Sequence, residues 1–252
     1  AYLSKVGDDQ LSEKMLQFMS DNRVDIKYVK KVTGSTTGLY LISLVNGERT
    51  FSYWRNNSAA KLLAQSPDDL ENAMKEQDII YFSGITLAIL DMNSRENLFS
   101  GLKLARHAGT KIAFDPNIRP KLWTDRNEMC EVIMAGANLS DIILPSFEDE
   151  AVWFSDTDPN STLDRYRNVG AETIVVKNAG EPISFFSEQE MGIHNIKAIE
   201  KIVDSTAAGD SFNSEILVGL LRKIPINDAI NNGVNLAKKV IVGKGALVPS
   251  NV

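Results

Sequence analysis

The stretch of sequence that decides the fold is Asp204-Ser205-Thr206-Ala207-Ala208-Gly209-Asp210. An extended run ends just before it, at Val203, and an apolar periodicity that predicts a helix over 208–223 begins inside it. The central residues are small, so another chemical group can approach the backbone closely. Their N–H groups point outward at the positive end of the helix dipole, and the stretch therefore predicts an anion-binding site.

Asp210 falls in the first turn of this helix, beside the same N–H donors. A carboxylate next to an anion-binding turn suits a general base, which would take the proton from a hydroxyl attacking a phosphoryl group. The residues alone leave a second interpretation equally open. In an ordinary helix start, Thr206 would cap the helix and Asp210 would complement its dipole.

Outward from this stretch, short apolar strands alternate with helices from about residue 66 onward. Strands are predicted over 78–82, 111–114, 141–144 and 173–177, and helices over 94–107, 125–135, 148–154, 162–169 and 227–243. A second hairpin is predicted over 183–187 and 192–199. The alternation predicts an α/β fold whose central sheet is mostly parallel and covered on both faces.

One segment interrupts the alternation. Two runs rich in β-branched and aromatic residues, 36–44 and 50–55, flank Val45-Asn46-Gly47-Glu48. Asn-Gly between such runs is typical of a two-residue β-turn. We therefore expect a small β lid at about 33–56, projecting from a single domain that covers 1–252.

Composition excludes several classes of function. The chain has 252 residues and a net charge of −6, and it lacks the basic stripe that a nucleic-acid partner requires. No apolar run is long enough for a membrane span.

The chain has one cysteine, Cys130, which fits a reducing, cytoplasmic compartment. We interpret it as a small buried helix residue instead of a nucleophile. No Gly-x-Gly-x-x-Gly follows a strand, which disfavours a dinucleotide-dependent oxidoreductase. His107 and His194 are far apart in sequence and are interpreted as structural or surface residues instead of metal ligands.

The segment 204–212 closely resembles the C-terminal signature of the ribokinase-like (PfkB) carbohydrate kinases. In that family the last Asp of the signature is the catalytic base, and the small-residue turn holds the transferred phosphate. The resemblance implies a three-layer ribokinase-like sandwich that uses ATP with Mg²⁺. It also implies that Asp210 is the base and that the N–H groups of Ala207, Ala208 and Gly209 form the anion hole.

Four more segments are similar to the members of this family that phosphorylate 2-keto-3-deoxygluconate, namely 38–40, 51–56, 81–90 and 114–123. The similarity implies that the sugar acid contacts Tyr40, Tyr53, Arg55, Arg119 and Asp210. It further implies that ATP lies near Asn117, Arg119, Lys177, Asp204, Ala207, Gly209 and Asn235. An Arg fork matches a carboxylate, although Arg119 could equally attend the ATP phosphates. By themselves, Tyr40 and Tyr53 would be interpreted as sheet-packing residues and Arg55 as a solvated one.

The sequence departs from the family pattern in several places. Members carry a Gly-Gly-x-x-x-Asn-type segment before the part present here, so we expect a fragment that lacks the first strand and part of the lid. Glu150 is the expected match for the Glu of an Asn-x-x-Glu motif, which helps to order metal-bound water, but Phe147 stands where the Asn would fall. Acids enriched at a helix start are the alternative interpretation. The segment 177–180 differs from the family's nucleotide loop, and Glu215 replaces a Gly or Ala without a reason in the sequence.

The predicted activity is transfer of the ATP γ-phosphate to 2-keto-3-deoxygluconate, giving its 6-phosphate. A neutral-sugar kinase such as a fructokinase is the alternative within the class. A non-catalytic protein that binds the sugar acid is the alternative from another class. We also expect a homodimer formed through the lid, whose strand edge is exposed.

Overall fold

The computed structural model describes residues 1–45, 48–188, 190–197 and 202–248. Two compact units are distinguished by their internal contacts. The first contains Ala1–Gln77 and Thr86–Thr110, and the second contains Asp78–Ile85 and the chain from Lys111 onward. Among the described residues, no helix has both the length and the apolar character needed to cross a membrane.

The first unit holds four strands and three complete helices among its described residues. They are β1 (Leu3–Val6), α1 (Gln10–Asp21), β2 (Tyr28–Lys31), β3 (Leu39–Val45), β4 (Glu48–Trp54), α2 (Pro67–Met74) and α4 (Met92–His107), with α3 (Gly84–Ile89) running in from the second unit. A short 3₁₀ helix covers Ala59–Leu62. β1 and β2 pair in parallel.

The predicted first hairpin is confirmed. β3 and β4 pair antiparallel, and Val45 is the register partner of Glu48. This register leaves two residues for the connection, which is the length that an Asn-Gly turn requires. Asn46 and Gly47 themselves lie outside the described residues.

The second unit is built on a six-stranded sheet. Its strands are β5 (Ile79–Ser83), β6 (Lys111–Asp115), β7 (Ile142–Ile143), β8 (Thr173–Val176), β9 (Ile183–Ser187) and β10 (Glu190–His194). The order is β10-β9-β8-β7-β6-β5; β5 to β8 are parallel, whereas β9 and β10 form an antiparallel edge. The predicted, mostly parallel sheet is therefore confirmed. In the second hairpin, β10 begins two residues earlier than predicted and ends at His194, and 198–199 lie outside the described residues.

Helices cover this sheet. They are α5 (Arg126–Asn138), α6 (Phe147–Phe154), α7 (Pro159–Arg167), α8 (Ala208–Leu221) and α9 (Ile226–Ile241). A buried cluster joins α8 and α9 to one face of the sheet, where Ala113, Leu144 and Phe185 meet Phe212 and Ile230. Successive strand residues face opposite sides, and the neighbours of these residues along the strands are also buried. Both faces are thus covered, as the predicted three-layer arrangement requires, and α7 packs against β8 and β9.

The entry into α8 differs from the prediction. An extended run ending at Val203 was expected, but 202–207 form no strand. Instead, the backbone N–H groups of Val203 and Asp204 both donate to the carbonyl of Ile241, at 2.8 and 3.1 Å. The last residue of α9 therefore fixes the turn that leads into α8.

Candidate functional site

The start of α8 has an unusual backbone. Ala207 adopts the left-handed conformation, with φ of 63°, and no side chain caps the helix. Thr206 instead donates its N–H and its Oγ1 hydrogen to Asp204 Oδ1, at 2.9 and 2.6 Å. The interpretation of Thr206 as an ordinary helix cap is therefore wrong. A left-handed alanine costs roughly 1 kcal/mol, and such strain is concentrated at functional sites.

Three backbone N–H groups at this turn have no acceptor within the described part of the chain. They belong to Ala207, Gly209 and Asp210. The N–H of Ala208 donates to Ser205 O at 3.3 Å, so Ala208 leaves the predicted donor set and Asp210 joins it. A Cβ built on Gly209 would meet no atom within 4 Å, so a ligand can approach this backbone closely.

Asp204 was predicted to lie near ATP, and its carboxylate holds the turn itself. Oδ1 accepts the two bonds from Thr206, and Oδ2 accepts the N–H of Gly245 at 3.0 Å. Asp204 thus connects the turn before α8 to the loop after α9.

Asp210 lies in the first turn of α8 with its side chain accessible to solvent. Its pKa is nevertheless raised, mainly because the surrounding protein reduces its hydration and also because Asp115 is negatively charged. Lys177 and Arg119 oppose this rise. A carboxyl group with a raised pKa holds a proton more readily, as a general base must.

Asp149 belongs to the same group of charges. Reduced hydration raises its pKa, with Arg119 opposing and Asp115 adding to the effect. Arg119 Nη1 lies 3.7 Å from Asp149 Oδ2 and donates to Ile118 O at 2.9 Å, and the guanidinium remains half exposed. We call Asp115, Arg119, Asp149, Lys177 and Asp210 the strand-end cluster, because they follow the carboxyl ends of β6, β7 and β8 and the start of α8.

Lys177 is directed inward. Its Nζ lies 3.1 Å from Asp115 Oδ2 and 3.0 Å from Asn213 Oδ1, and it also donates to Leu144 O. Asn213 is 1% exposed, and its Nδ2 donates to Asp115 Oδ2 at 2.7 Å and to the hydroxyl of Tyr81 at 3.2 Å. Lys177, predicted as an ATP contact, is thus part of a buried polar network under the site.

Asn117 and Gly84 define the turn that follows β6. Asn117 has a positive φ of 36°, and its N–H donates to Asp115 Oδ1 at 3.0 Å. A Cβ on Gly84 would lie 1.8 Å from the carbonyl oxygen of Pro116, so only glycine fits there. The backbone after β5 therefore passes close to the backbone after β6.

Glu150, the predicted metal residue, lies elsewhere. It is fully buried, and its Oε2 accepts from Arg165 Nη2 at 2.7 Å and from the Tyr166 hydroxyl at 3.0 Å. Asp156 is the second acid bound by Arg165. Burial raises the pKa of Glu150 to about 7. Oε1 has no partner within the described residues. The structure thus does not bring Glu150 to the strand-end cluster, and it places Asp149 there.

The predicted substrate residues of the hairpin gather on one part of it. Tyr40 and Tyr53 are register partners with ring centroids 6.3 Å apart. The guanidinium carbon of Arg55 lies 4.3 Å from the centroid of the Tyr53 ring. These three side chains belong to the first unit, whereas the strand-end cluster belongs to the second.

Asn235 is exposed on α9, where it lines a groove on the second unit. The groove is lined by Glu215, Asn232, Asn235, Leu236 and Lys239. Glu215, unexplained by the sequence, therefore shares a surface with a predicted ATP contact.

Sequence reasoning missed Asp149, Asn213 and Tyr81. The sequence held a weak signal for two of them. Asp149 is an acid in the first turn of a helix that follows a strand, and Asn213 is an amide within an apolar helix, three residues after Asp210. Within the described residues, no group of three or more His, Cys, Asp or Glu side chains is arranged to hold a metal ion.

Comparison with known proteins shows what the chain is similar to. The sequence pattern described as pfkB family carbohydrate kinase matches residues 1–251. The 2-dehydro-3-deoxygluconokinase of Haemophilus influenzae is 36% identical over 98% of this chain and 80% of its own. The enzyme of the same name from Escherichia coli K12 is 34% identical over 98% and 82%. The crystal structure of a PfkB protein from Polaromonas sp. JS666 matches with a TM-score of 0.85 and 25% identity, covering 96% of this chain and 79% of that one.

Proposed function

Because the chain belongs to the pfkB family of carbohydrate kinases, we propose that it transfers the γ-phosphate of ATP to the 6-hydroxyl of 2-keto-3-deoxygluconate. Both bacterial relatives are named for this sugar acid, under the synonym 2-dehydro-3-deoxygluconate. The observation that carries the proposal is the start of α8, where three unpaired N–H groups adjoin the Asp210 carboxylate. The proposed place of action is the cytoplasm, where ATP is available.

The proposed reaction needs one base and one anion hole. Asp210 takes the proton from the attacking 6-hydroxyl, a bond forms between that oxygen and the γ-phosphorus, and the bond from phosphorus to the ADP oxygen breaks. The N–H groups of Gly209 and Asp210 hold the phosphoryl oxygens as their charge develops. Donors fixed before the reaction need no reorganisation, which is why such sites stabilise the transition state.

The sugar acid adds a negative charge that arginine can recognise. Arg119 is half exposed in the strand-end cluster, and Arg55 lies over Tyr53 on the hairpin. A guanidinium binds a carboxylate through two parallel hydrogen bonds. We therefore take Arg55 and Arg119 as the candidate residues for recognition of the carboxylate, and Tyr40 and Tyr53 as candidates for further sugar contacts.

Magnesium is part of the proposal, and the residues present fit it. Mg²⁺ is usually held by one or two carboxylates together with substrate phosphates instead of by a complete protein cage. Asp149 is the carboxylate we assign to this role in place of Glu150, since Asp149 lies in the strand-end cluster and Glu150 is bound to Arg165. When bound, the ion would supply positive charge to the phosphates.

The proposal also covers where the parts of ATP bind. We assign the ATP phosphates to the turn at Asn117 and the start of α8, and the nucleoside to the groove at Asn235.

We also propose a homodimer formed through the hairpin, because its described apolar side chains are strongly exposed, including Leu41 at 53% and Trp54 at 57%. Analytical ultracentrifugation of the wild type and Leu41→Lys tests the dimer, which the charged side chain should dissociate.

The test of function is a coupled ADP-release assay with a panel of substrates. Turnover with 2-keto-3-deoxygluconate, and a sugar 6-phosphate seen by ³¹P NMR, would support the proposal. Turnover with fructose alone would indicate a neutral-sugar kinase. Binding of the sugar acid without ADP release would indicate the non-catalytic alternative.

Charge reversal at Arg55 tests how the acid is recognised. A hydrogen bond to a charged group contributes about 1.5–3 kcal/mol, so Arg55→Glu should raise KM for the sugar acid roughly 10- to 100-fold and leave KM for ATP unchanged. Lys14→Glu, the same charge change on an exposed face of α1, is the matched control. Equal KM values for Arg55→Glu and Lys14→Glu would contradict the assignment.

A further inference from the structure

The side-chain amide of Asn213 forms hydrogen bonds with three partners, which lie on or next to three different strands. Nδ2 donates to Asp115 Oδ2 at 2.7 Å and to the hydroxyl of Tyr81 at 3.2 Å, and Oδ1 accepts from Lys177 Nζ at 3.0 Å. Tyr81 lies in β5, Asp115 ends β6, and Lys177 directly follows β8. One side chain of α8 is thus bonded to the carboxyl ends of three strands.

The orientation of this amide follows from its partners. With Oδ1 and Nδ2 exchanged, the NH₂ group would face an ammonium and the carbonyl would face a carboxylate, and both contacts would be repulsive. Only the observed orientation satisfies all three bonds. Asn213 is 1% exposed, so its amide has no contact with bulk water that could replace them.

The consequence lies one turn earlier on the helix. Asp210 precedes Asn213 by three residues, a rise of about 4.5 Å, and residues at this spacing lie on neighbouring parts of one helix face. Any shift or rotation of α8 that moved Asp210 would also have to break the bonds of Asn213. The same applies to the N–H group of Gly209, which the first turn carries.

We propose that Asn213 is a positioning residue: its amide fixes the start of α8, and with it Asp210 and the unpaired N–H groups, to the carboxyl ends of the strands. The inference rests on the proposed phosphoryl transfer and names a residue that serves it without touching the substrate. Lys177 and Asp115 take part because each binds the Asn213 amide and the other, at 3.1 Å between Lys177 Nζ and Asp115 Oδ2.

Substitutions separate positioning from ordinary stability. Asn213→Leu removes the three bonds at similar volume, and the smaller change Asn213→Ser keeps a hydroxyl if the leucine variant does not fold. Since a misplacement of about 1 Å at a catalytic group can cost roughly 100-fold, kcat should fall about 10- to 100-fold while KM for the sugar acid changes less than about threefold. Thr162→Val removes the hydrogen bond that another fully buried side chain donates to Asp156 Oδ2, outside the strand-end cluster, and it should lower stability and leave kcat unchanged.

Exchanging the amide at position 213 with the carboxylate at position 115 tests whether the lost activity can be rescued. Asn213→Asp alone sets a second carboxylate against that of Asp115, and kcat should fall. The double variant Asn213→Asp/Asp115→Asn restores one carboxylate and one amide to the pair beside Lys177. Its kcat should be at least tenfold higher than that of Asn213→Asp alone. Failure of the double variant to exceed Asn213→Asp would overturn the proposal. So would a kcat within twofold of wild type in both Asn213→Leu and Asn213→Ser.

A second readout does not depend on turnover. In protein labelled with ¹⁵N-glycine, the amide signal of Gly209, identified by its loss in Gly209→Ala, reports on the start of α8. The signal should move in Asn213→Ser and stay in place in Thr162→Val. If the wild type phosphorylates no sugar, the proposed function fails and this signal alone decides: an unmoved Gly209 signal overturns the positioning role.

Discussion

Replacing Glu150 by glutamine tests whether its buried carboxyl group is neutral in the folded protein. The side chain is fully buried, and burial raises its pKa from 4.5 to about 7 against the opposing effect of Arg165. The unfolded chain has the ordinary pKa, so between these two values the folded state binds more protons than the unfolded state. Stability therefore falls as the pH rises through this window.

The size of the effect follows from the two pKa values. Between pH 5 and pH 8, ionisation of Glu150 reduces the free energy of unfolding by roughly 2–3 kcal/mol, a loss that glutamine does not share. Urea unfolding at several pH values measures this difference between Glu150→Gln and the wild type. Glu148→Gln, the same substitution at an exposed position of α6, should keep the pH dependence of the wild type.

Parallel stability curves for wild type and Glu150→Gln would refute this reasoning. They would mean that the bond from Arg165 Nη2, at 2.7 Å, keeps the carboxylate ionised over the whole range and outweighs its loss of hydration.

Three further predictions concern the start of α8. Asp210→Asn should lower kcat by roughly 10²- to 10⁴-fold, the range for loss of a general base, while calorimetric binding of the sugar acid persists. Only the deprotonated form of Asp210 accepts a proton and its pKa is raised, so the acidic limb of the kcat/KM–pH profile should lie above the ordinary range of an aspartate. Ala207→Gly should raise the free energy of unfolding by up to about 1 kcal/mol and Ala207→Val should lower it, as measured in urea, because Ala207 is left-handed.

Each of these predictions has a contrary outcome. Wild-type turnover in Asp210→Asn removes the base assignment. An acidic limb at or below the ordinary aspartate pKa places another group in control of the profile. Equal stabilities of the Ala207 variants would mean that the turn relaxes at no cost.

The sequence predicted the elements whose signals are local. The hairpin followed from Asn-Gly between two β-rich runs, and the observed register matches a two-residue connection. The mostly parallel sheet followed from short apolar strands that alternate with helices. The start of α8 was located because small residues lead directly into an apolar helix.

The parts that sequence did not predict depend on side-chain direction. Asp149 and Glu150 are adjacent on α6, so about 100° of rotation separates them, and only coordinates show which one reaches the strand-end cluster. Thr206 has the residue type of a helix cap, but it forms its hydrogen bonds with Asp204 and does not cap the helix. The bonds of Asn213 join residues up to 132 positions apart, and no local pattern specifies such pairs.

The contact between Gly84 and the carbonyl of Pro116 has a consequence for directed evolution. A library randomised at position 84 should return glycine alone under any selection for turnover, because every larger residue would push β5 away from the turn after β6. Variants that accept a broader range of substrates would then have to be sought by randomising other positions, with Gly84 kept.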